Sequence, residues 1–298
     1  MTYSPHALPE LPEVEVTRRL IAPVLLERRI AAVHTTKPSY FFLTPPRTLK
    51  KRLPGRSVRA LTRHGKYLLA ELDDGSRLLL HLGMTGQLFS SAVTSPRLLS
   101  KTARAALSPE TQRDFRPDAH THLRIAFADR GPDVLFRDVR KFGKVRLLGL
   151  GESDARLDKL GPDALAVTPG ILHAAGEKRR TPVKTLLLDQ SVVAGVGNIY
   201  ADEALFRAGV RPTRSAKRVS EAEWKRIARF VRVVLERGIA TGGSSINDYV
   251  RPDGKDGGYQ DERRVYGLEG APCRKCKTAI VRKVIAQRSS CYCPACQR

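Results

Sequence analysis

Four cysteines close the sequence in two pairs, Cys273-x2-Cys276 and Cys293-x2-Cys296, with 16 residues between them. One Cys-x2-Cys turn offers two thiolates to one ion, and two such turns at this spacing match a structural zinc site. The expected ligands of one structural Zn2+ are therefore Cys273, Cys276, Cys293 and Cys296. The alternative is two unrelated redox pairs, which a reducing compartment disfavours. A tail this short buries too little to fold alone, so the ion would supply its folding energy. Val281, Val284 and Ile285 between the pairs suit a β-hairpin. Cys291 reads as a spectator, because four thiolates already complete a closed tetrahedral site. Arg274, Lys275, Lys277, Arg282, Lys283, Arg288 and Arg298 surround the module, which should rest on phosphate.

A second set of residues suits anions. Gly195-Val196-Gly197-Asn198 opens a helical pattern, and small residues there let phosphate approach free backbone N–H groups and the positive end of the helix dipole. Asn198 is the expected N-cap, and Lys184 on the preceding helix adds a cation. An ordinary glycine turn would look the same, so this motif gains weight only from its basic context.

These groups need elements to hold them. From Pro12 to Arg29 apolar residues recur at helical spacing (Val16, Leu20, Ile21, Val24, Leu25). Lys66–Leu72 and Ser76–Leu82 flank Asp73-Asp74-Gly75 and read as a hairpin. Ser91–Ala119 is rich in Ser, Pro and Arg and reads as a long loop. Strand character returns at Leu123–Ala128, Val134–Arg137 and Lys144–Leu148, and Gly149–Asp154 resembles a linker. Val183–Asp189, Ile199–Ala208 and Glu221–Arg237 read as helices, the last opened by a Ser220–Glu223 capping box. Strands segregated from helices argue an α+β chain in two domains plus the cysteine tail.

The charge says what such a chain meets. Lys and Arg number 53 against 30 Asp and Glu, a formal net charge of +23, spread along the chain. With 41% hydrophobic residues the chain can bury a core, so it is not a disordered basic tail. A basic surface of this kind finds its commonest large partner in nucleic acid. No run of about 18 apolar residues is present, so no membrane span is expected. Met1–Leu8 lacks the features of a signal peptide. The expected setting is a reducing, cytoplasmic compartment, with the chain on nucleic acid as a monomer.

Five motifs in one order carry a resemblance. Pro9-Glu10-Leu11-Pro12-Glu13-Val14-Glu15, His81-Leu82-Gly83-Met84-Thr85-Gly86, Arg140-Lys141-Phe142-Gly143, the Asp189–Asn198 run and the four-cysteine tail resemble those of formamidopyrimidine-DNA glycosylases. The Pro-Glu-Leu-Pro-Glu form is closer to that branch than to the endonuclease VIII branch. The resemblance spans Pro9 to the C-terminus. It implies an N-terminal antiparallel β-sandwich with a leading helix, then a helix–two-turn–helix domain with a zinc-ribbon-like finger. On that basis residues 1–8 would be an extension or misassigned start, 9–150 the catalytic sandwich, 151–270 the helical DNA-binding domain and 271–298 the finger. The implied activity is base-excision repair on double-stranded DNA: removal of oxidised purines such as 8-oxoguanine and formamidopyrimidines, then strand cleavage at the abasic site.

The resemblance also implies roles. The secondary amine of Pro9 would attack C1′ of the damaged nucleotide and form a Schiff base. Glu10 would move protons to the sugar, and Lys66 would stand near the lesion. His81, Arg140, Asn198 and Arg288 would contact phosphate or the flipped nucleotide; Lys184, from its basic context and not from the resemblance, is expected as a further DNA contact. Met84, Arg140 and Phe142 would fill the stack that the extruded base leaves. By composition alone Lys66 is a basic strand residue, Met84 and Phe142 are core and Arg140 is surface charge. Gly242–Tyr259 resembles the loop that closes over the everted base, with Gly258 where the family more often has an aromatic residue.

One departure bears on the chemistry. Pro9 is preceded by eight residues, so its nitrogen is an amide with a delocalised lone pair, unable to form an iminium. Translation starting at Leu8, read as methionine and then removed, would expose it, as would proteolytic trimming. Alternatively the chain binds damaged or abasic DNA without cutting it, or uses Lys66 as a substitute amine. An RNA- or ribosome-associated zinc protein would match the charge and cysteines but leave Pro9–Glu15 and Met84 unexplained.

Overall fold

The computed structural model describes residues 9–93, 118–246 and 249–298. Residues 1–8 and most of the expected Ser91–Ala119 loop lie outside these. The elements run α1 (Leu11–Leu25), β1 (Ile30–Thr35), α2 (Pro46–Arg52), β2 (Val58–His64), β3 (Tyr67–Leu72), β4 (Arg77–His81), β5 (Gly86–Ser90), β6 (Thr121–Phe127), β7 (Val134–Asp138) and β8 (Lys144–Leu148). They continue with α3 (Ala155–Asp158), α4 (Pro169–Gly176), α5 (Val183–Leu188), α6 (Asn198–Ala208), α7 (Glu221–Ala240), β9 (Val281–Ile285) and β10 (Arg288–Tyr292).

Two four-stranded antiparallel sheets, ordered β1-β6-β7-β5 and β2-β3-β4-β8, make the expected sandwich. The Asp73-Asp74-Gly75 hairpin joins β3 to β4 as the sequence suggests, with Gly75 at φ 78°. The strand β5 is buried at all five positions, so it shows no alternation for a sequence pattern to catch. The first helix stops at Leu25, short of Arg29: Leu26 is already extended, and Glu27 takes φ 59°, a left-handed conformation that ends the helical run.

Helices α4 to α7 share a second core built around Trp224, Tyr200, Leu187 and Val231. The Ser220–Glu223 capping box opens α7 as expected. Strands β9 and β10 form the finger hairpin, turned by Ala286 and Gln287 at φ 46° and 62°.

The two cores meet on one helix. Val14, Ile21 and Leu25 of α1 pack into the sandwich, whereas Leu11 belongs to the helical core. Each fully buried side chain of this size stabilises by about 1.5–3 kcal/mol. The first turn of α1 is thereby pinned between domains, and with it Pro9 and Glu10.

Candidate active site

Pro9 and Glu10 are buried just ahead of α1. Two glycines let the neighbouring segment approach them closely. Leu11 N donates to Gly195 O at 3.1 Å, and a Cβ on Gly195, at φ 112°, would lie 2.6 Å from the Leu11 side chain. A Cβ on Gly197 would lie 2.2 Å from Glu10 Cδ. Glu10 then accepts from Ile199 N at 2.8 Å and Tyr200 N at 3.3 Å, the opening amides of α6. One carboxylate thus caps a helix of the other domain and meets the positive end of its dipole. Asn198 is not the N-cap expected from sequence. Gly197 holds that position and Asn198 is the first helical residue, its carboxamide beside Tyr266, because Glu10 already serves the free amides.

Acid–base poise follows from burial. Burial pushes the Glu10 carboxyl above the usual carboxylate range, against the pull of Lys66 and the α6 amides. Glu13, one turn on, is pushed up to about 7 by burial and by the Glu10 charge. Glu13 accepts from Glu10 N at 2.9 Å, Tyr200 Oη at 2.8 Å and Ser244 N at 2.8 Å. Sequence reasoning did not single out Glu13, though its place in the Pro9–Glu15 motif was the available signal.

Lys66 sits half-buried in the two-residue turn between β2 and β3. Burial lowers its ammonium, Arg288 lowers it further, and Glu10 and Glu13 pull it back up. The charges that act on Lys66 thus come from the start of α1 and from the finger. The His81 ring lies tilted against Tyr67 at 4.6 Å, and burial with Lys66, Lys144 and Arg156 pushes its imidazole down to about 4. Arg288 is exposed at the start of β10, where the finger turns back.

Met84, Arg140 and Phe142 come together on neighbouring loops. A Cβ on Gly83 would lie 2.5 Å from both Phe142 C and Gly143 N, so the two loops touch backbone to backbone. Asp138 fastens them: it accepts from Gly143 N at 2.6 Å, Arg140 N at 3.2 Å and the Thr85 hydroxyl. Phe142 is 41% exposed with the Arg140 guanidinium 4.8 Å over its ring. Phe142 is therefore not core: the ring is an exposed apolar surface paired with a cation.

Lys184 departs from its expected place at DNA. It is fully buried, its Nζ 2.8 Å from Asp202 and 2.9 Å from Ser289 O. Asp202 also accepts from Ser290 Oγ at 2.7 Å and Cys291 N at 2.9 Å. The lysine therefore ties β10 to α6 and has no route to phosphate in this conformation. Two tyrosines of the Gly242–Tyr259 stretch reach the same site: Tyr249 Oη donates to Glu13 O at 3.3 Å, and the Tyr259 ring lies tilted against Tyr200 at 4.8 Å.

The thiols of Cys273, Cys276, Cys293 and Cys296 lie within 4.8 Å of one another. Cys273 and Cys296 are 4.0 Å apart, Cys276 and Cys293 3.4 Å, bracketing the edge of about 3.8 Å that a tetrahedral site with Zn–S near 2.3 Å requires. The set fits one structural zinc ion, which supplies folding energy to the finger. Cys291 lies outside the cluster, buried in the finger's small core.

With its charge of +23, this layout places the chain among the DNA glycosylases that carry a helix–two-turn–helix domain. Residues 8–145 match the formamidopyrimidine-DNA glycosylase N-terminal domain, 160–250 the helix–two-turn–helix domain of that enzyme, and 270–298 the zinc finger found in it and in isoleucyl-tRNA synthetase. The chain belongs to the formamidopyrimidine-DNA glycosylase family. A formamidopyrimidine-DNA glycosylase of Paracoccus denitrificans is 43% identical over 300 residues, covering 98% of this chain and all of the relative. One from Alkalilimnicola ehrlichii is 40% identical with the same coverage. The solved enzyme of Thermus thermophilus superposes with a TM-score of 0.80 at 36% identity, covering 97% of this chain and 98% of the other. That of Lactococcus lactis, solved with DNA containing an abasic site, gives 0.82 at 31%, covering 97% and 99%.

Proposed function

We propose that this chain excises oxidised purines, 8-oxoguanine and formamidopyrimidines, from double-stranded DNA and then cuts the abasic strand, with Pro9 as nucleophile. The carrying observation is the cradle itself: Glu10 is fixed beside Pro9 by two amides of the other domain, with Lys66 close enough to couple to it. A free Pro9 amine attacks C1′ and the bond from C1′ to the base breaks, the electron pair leaving with the base. The amine then loses its proton and the C1′–O4′ bond opens, its electron pair going to O4′ with a proton, which gives the iminium; this withdraws electrons from the sugar, so a proton leaves C2′ and the C3′–O bond breaks as the 3′ phosphate departs. Glu10, with its carboxyl raised, is suited to give and take the protons these steps need. His81, neutral at ordinary pH, Arg140, Asn198 and Arg288 line the path of the strand, and Met84, Arg140 and Phe142 enter the stack.

The chemistry requires Pro9 to be the first residue of the working enzyme, because an amide nitrogen cannot do this. The family match beginning at residue 8 supports that form. The Lactococcus relative solved with Fapy-dG DNA supports the substrate. We place the enzyme, as a monomer, on DNA in the bacterial cytoplasm; no helix among the described residues is long and apolar enough to cross a membrane.

Mass spectrometry of the natively produced N-terminus, paired with borohydride trapping on an 8-oxoguanine duplex, tests this. The expected result is Pro9 at the terminus and a trapped adduct. Active enzyme that retains Met1 would overturn the Pro9 assignment. The second reading, binding without cleavage, rests on the Leu8–Pro9 amide of the full sequence. It expects tight, salt-dependent binding and no adduct.

A further inference from the structure

Lys66 rides on the tightest connection in the sandwich, a two-residue turn closed by His64 opposite Tyr67. That turn is gripped from the other domain by one carboxylate. Asp163 Oδ2 accepts from Gly65 N at 3.0 Å, and Asp163 Oδ1 accepts from Arg63 Nη2 at 3.2 Å, with Arg63 Nη1 on Oδ2. Arg63 Nη1 also donates to Gly65 O at 2.9 Å, and Arg63 Nε to Glu15 of α1 at 3.1 Å. The Arg63 side chain is 7% exposed, so this pair is little screened. Burial pushes the Glu15 carboxyl up, but hydrogen bonds from Arg18, Arg19 and Arg63 outweigh it and hold it at about 2. Asp163 is itself held, by Leu165 N at 3.2 Å and by backbone bonds that run Ala164 N to Ala194 O and Ala194 N to Pro162 O, each 2.9 Å. The next residue after Ala194 is Gly195, whose carbonyl receives Leu11 N. A Cβ on Gly65, at φ 55°, would lie 2.9 Å from Ala194 Cβ, so the turn sits directly on that segment.

Two bridged segments of the helical domain, around Asp163 and around Ala194, therefore hold both groups: Glu10 through the glycines, and the turn carrying Lys66 through Asp163. We infer that Asp163 is a positioning residue that sets the Lys66 ammonium relative to Glu10 and the sugar. Guanidinium and carboxylate meeting through two parallel bonds fix angle as well as distance. Misplacing a reacting group by about 1 Å costs on the order of 100-fold in rate. The inference rests on the assignment of Lys66 to the reaction given above.

The test is a double-mutant cycle in the full zinc-loaded chain with Pro9 exposed, read by single-turnover excision of 8-oxoguanine and by borohydride trapping. Lys66→Ala, Asp163→Ala, Asp163→Asn and the double Lys66→Ala/Asp163→Ala variant are compared. Asp163→Ala should slow excision by about 30- to 100-fold, with affinity for a duplex bearing an uncleavable abasic analogue changed less than about threefold. Asp163→Asn, which keeps an acceptor for Gly65 N, should lose less and covers the case in which the alanine variant misfolds. If Asp163 acts through Lys66, the double variant is no slower than Lys66→Ala within about threefold. An Asp163 effect that repeats in full when Lys66 is already gone marks a general structural role and overturns the inference, as does wild-type excision by both Asp163 variants. Wild-type excision by Lys66→Ala sinks the Lys66 assignment instead, and the inference with it.

Discussion

A single methyl group at Gly197 should disable the site. The position is the N-cap of α6 with φ −131°, a conformation any residue adopts, so Gly197→Ala brings no backbone strain. What it brings is a Cβ 2.2 Å from Glu10 Cδ, 2.5 Å from Cγ and 2.6 Å from Oε1. Ordinary contact begins near 3.4 Å, so the Glu10 side chain must retreat by about 1.2 Å. It has no free direction, since both oxygens are spent on Ile199 N and Tyr200 N. Retreat leaves those buried amides short of an acceptor, at about 1–3 kcal/mol each. It also takes the proton shuttle off its line, which by the geometric sensitivity of such steps costs on the order of 100-fold in excision rate. The assay is single-turnover excision from an 8-oxoguanine duplex with melting followed in parallel. Melting should fall by several degrees. Excision within about threefold of wild type, in a protein that melts normally, would refute the cradle as described.

Four other outcomes follow from the same geometry. His81 is depressed to about 4 against an unfolded value near 6.5, so the unfolded chain binds the extra proton first; stability should fall as pH drops across that window, and His81→Asn should flatten the profile measured by chemical denaturation. Lys184→Met strands Asp202 as a buried charge and should cost about 3–5 kcal/mol, much of it regained on adding Asp202→Asn; equal instability of the single and double variants would contradict the pairing. Chelating the zinc should release the finger and weaken DNA binding while circular dichroism retains the helices of the second core, with zinc restoring affinity; a verified metal-free protein that binds as tightly would count against it. Phe142→Ala should leave melting within about 0.5 kcal/mol of wild type, because the ring is 41% exposed, yet weaken a lesion-duplex complex by about 1–3 kcal/mol in anisotropy titrations.

The parts legible in the sequence are those whose partners are close along the chain. Two Cys-x2-Cys turns declare a metal because each turn places its own pair of ligands. The β3–β4 hairpin, the Ser220 capping box and the helices of the second half are local patterns too. What escaped depends on distant partners. A charged pair such as Asp202-Glu203 normally marks a solvent face, yet both carboxylates are buried here, one on Lys184 and the other accepting from Arg264, Val265 and Tyr266 amides. Lys184 read as a DNA contact for the same reason: among so many cations, nothing local separates the one that pairs internally. Asp163 and Arg63 carry no motif, since their meaning appears only when the sandwich lies against the helical domain. Asn198 has the local signature of a cap, yet the capping group is Glu10, which arrives from a distant part of the sequence.

That last case shows why the site sits between domains. A buried carboxylate needs amide donors to stay competent, and the sandwich offers Glu10 none of the α6 amides it uses. The helical domain has free amides at the start of α6 but no carboxylate of its own on them. Each domain therefore carries an unsatisfied group that the other completes, and the first turn of α1 is the piece exchanged: Leu11 goes into one core, Val14 into the other. The β2–β3 turn repeats the arrangement through Arg63 and Asp163. On the reaction proposed above, chemistry at this junction is tied to closure of the interface, because the contacts that hold Glu10 and the turn carrying Lys66 are the same contacts that join the two halves.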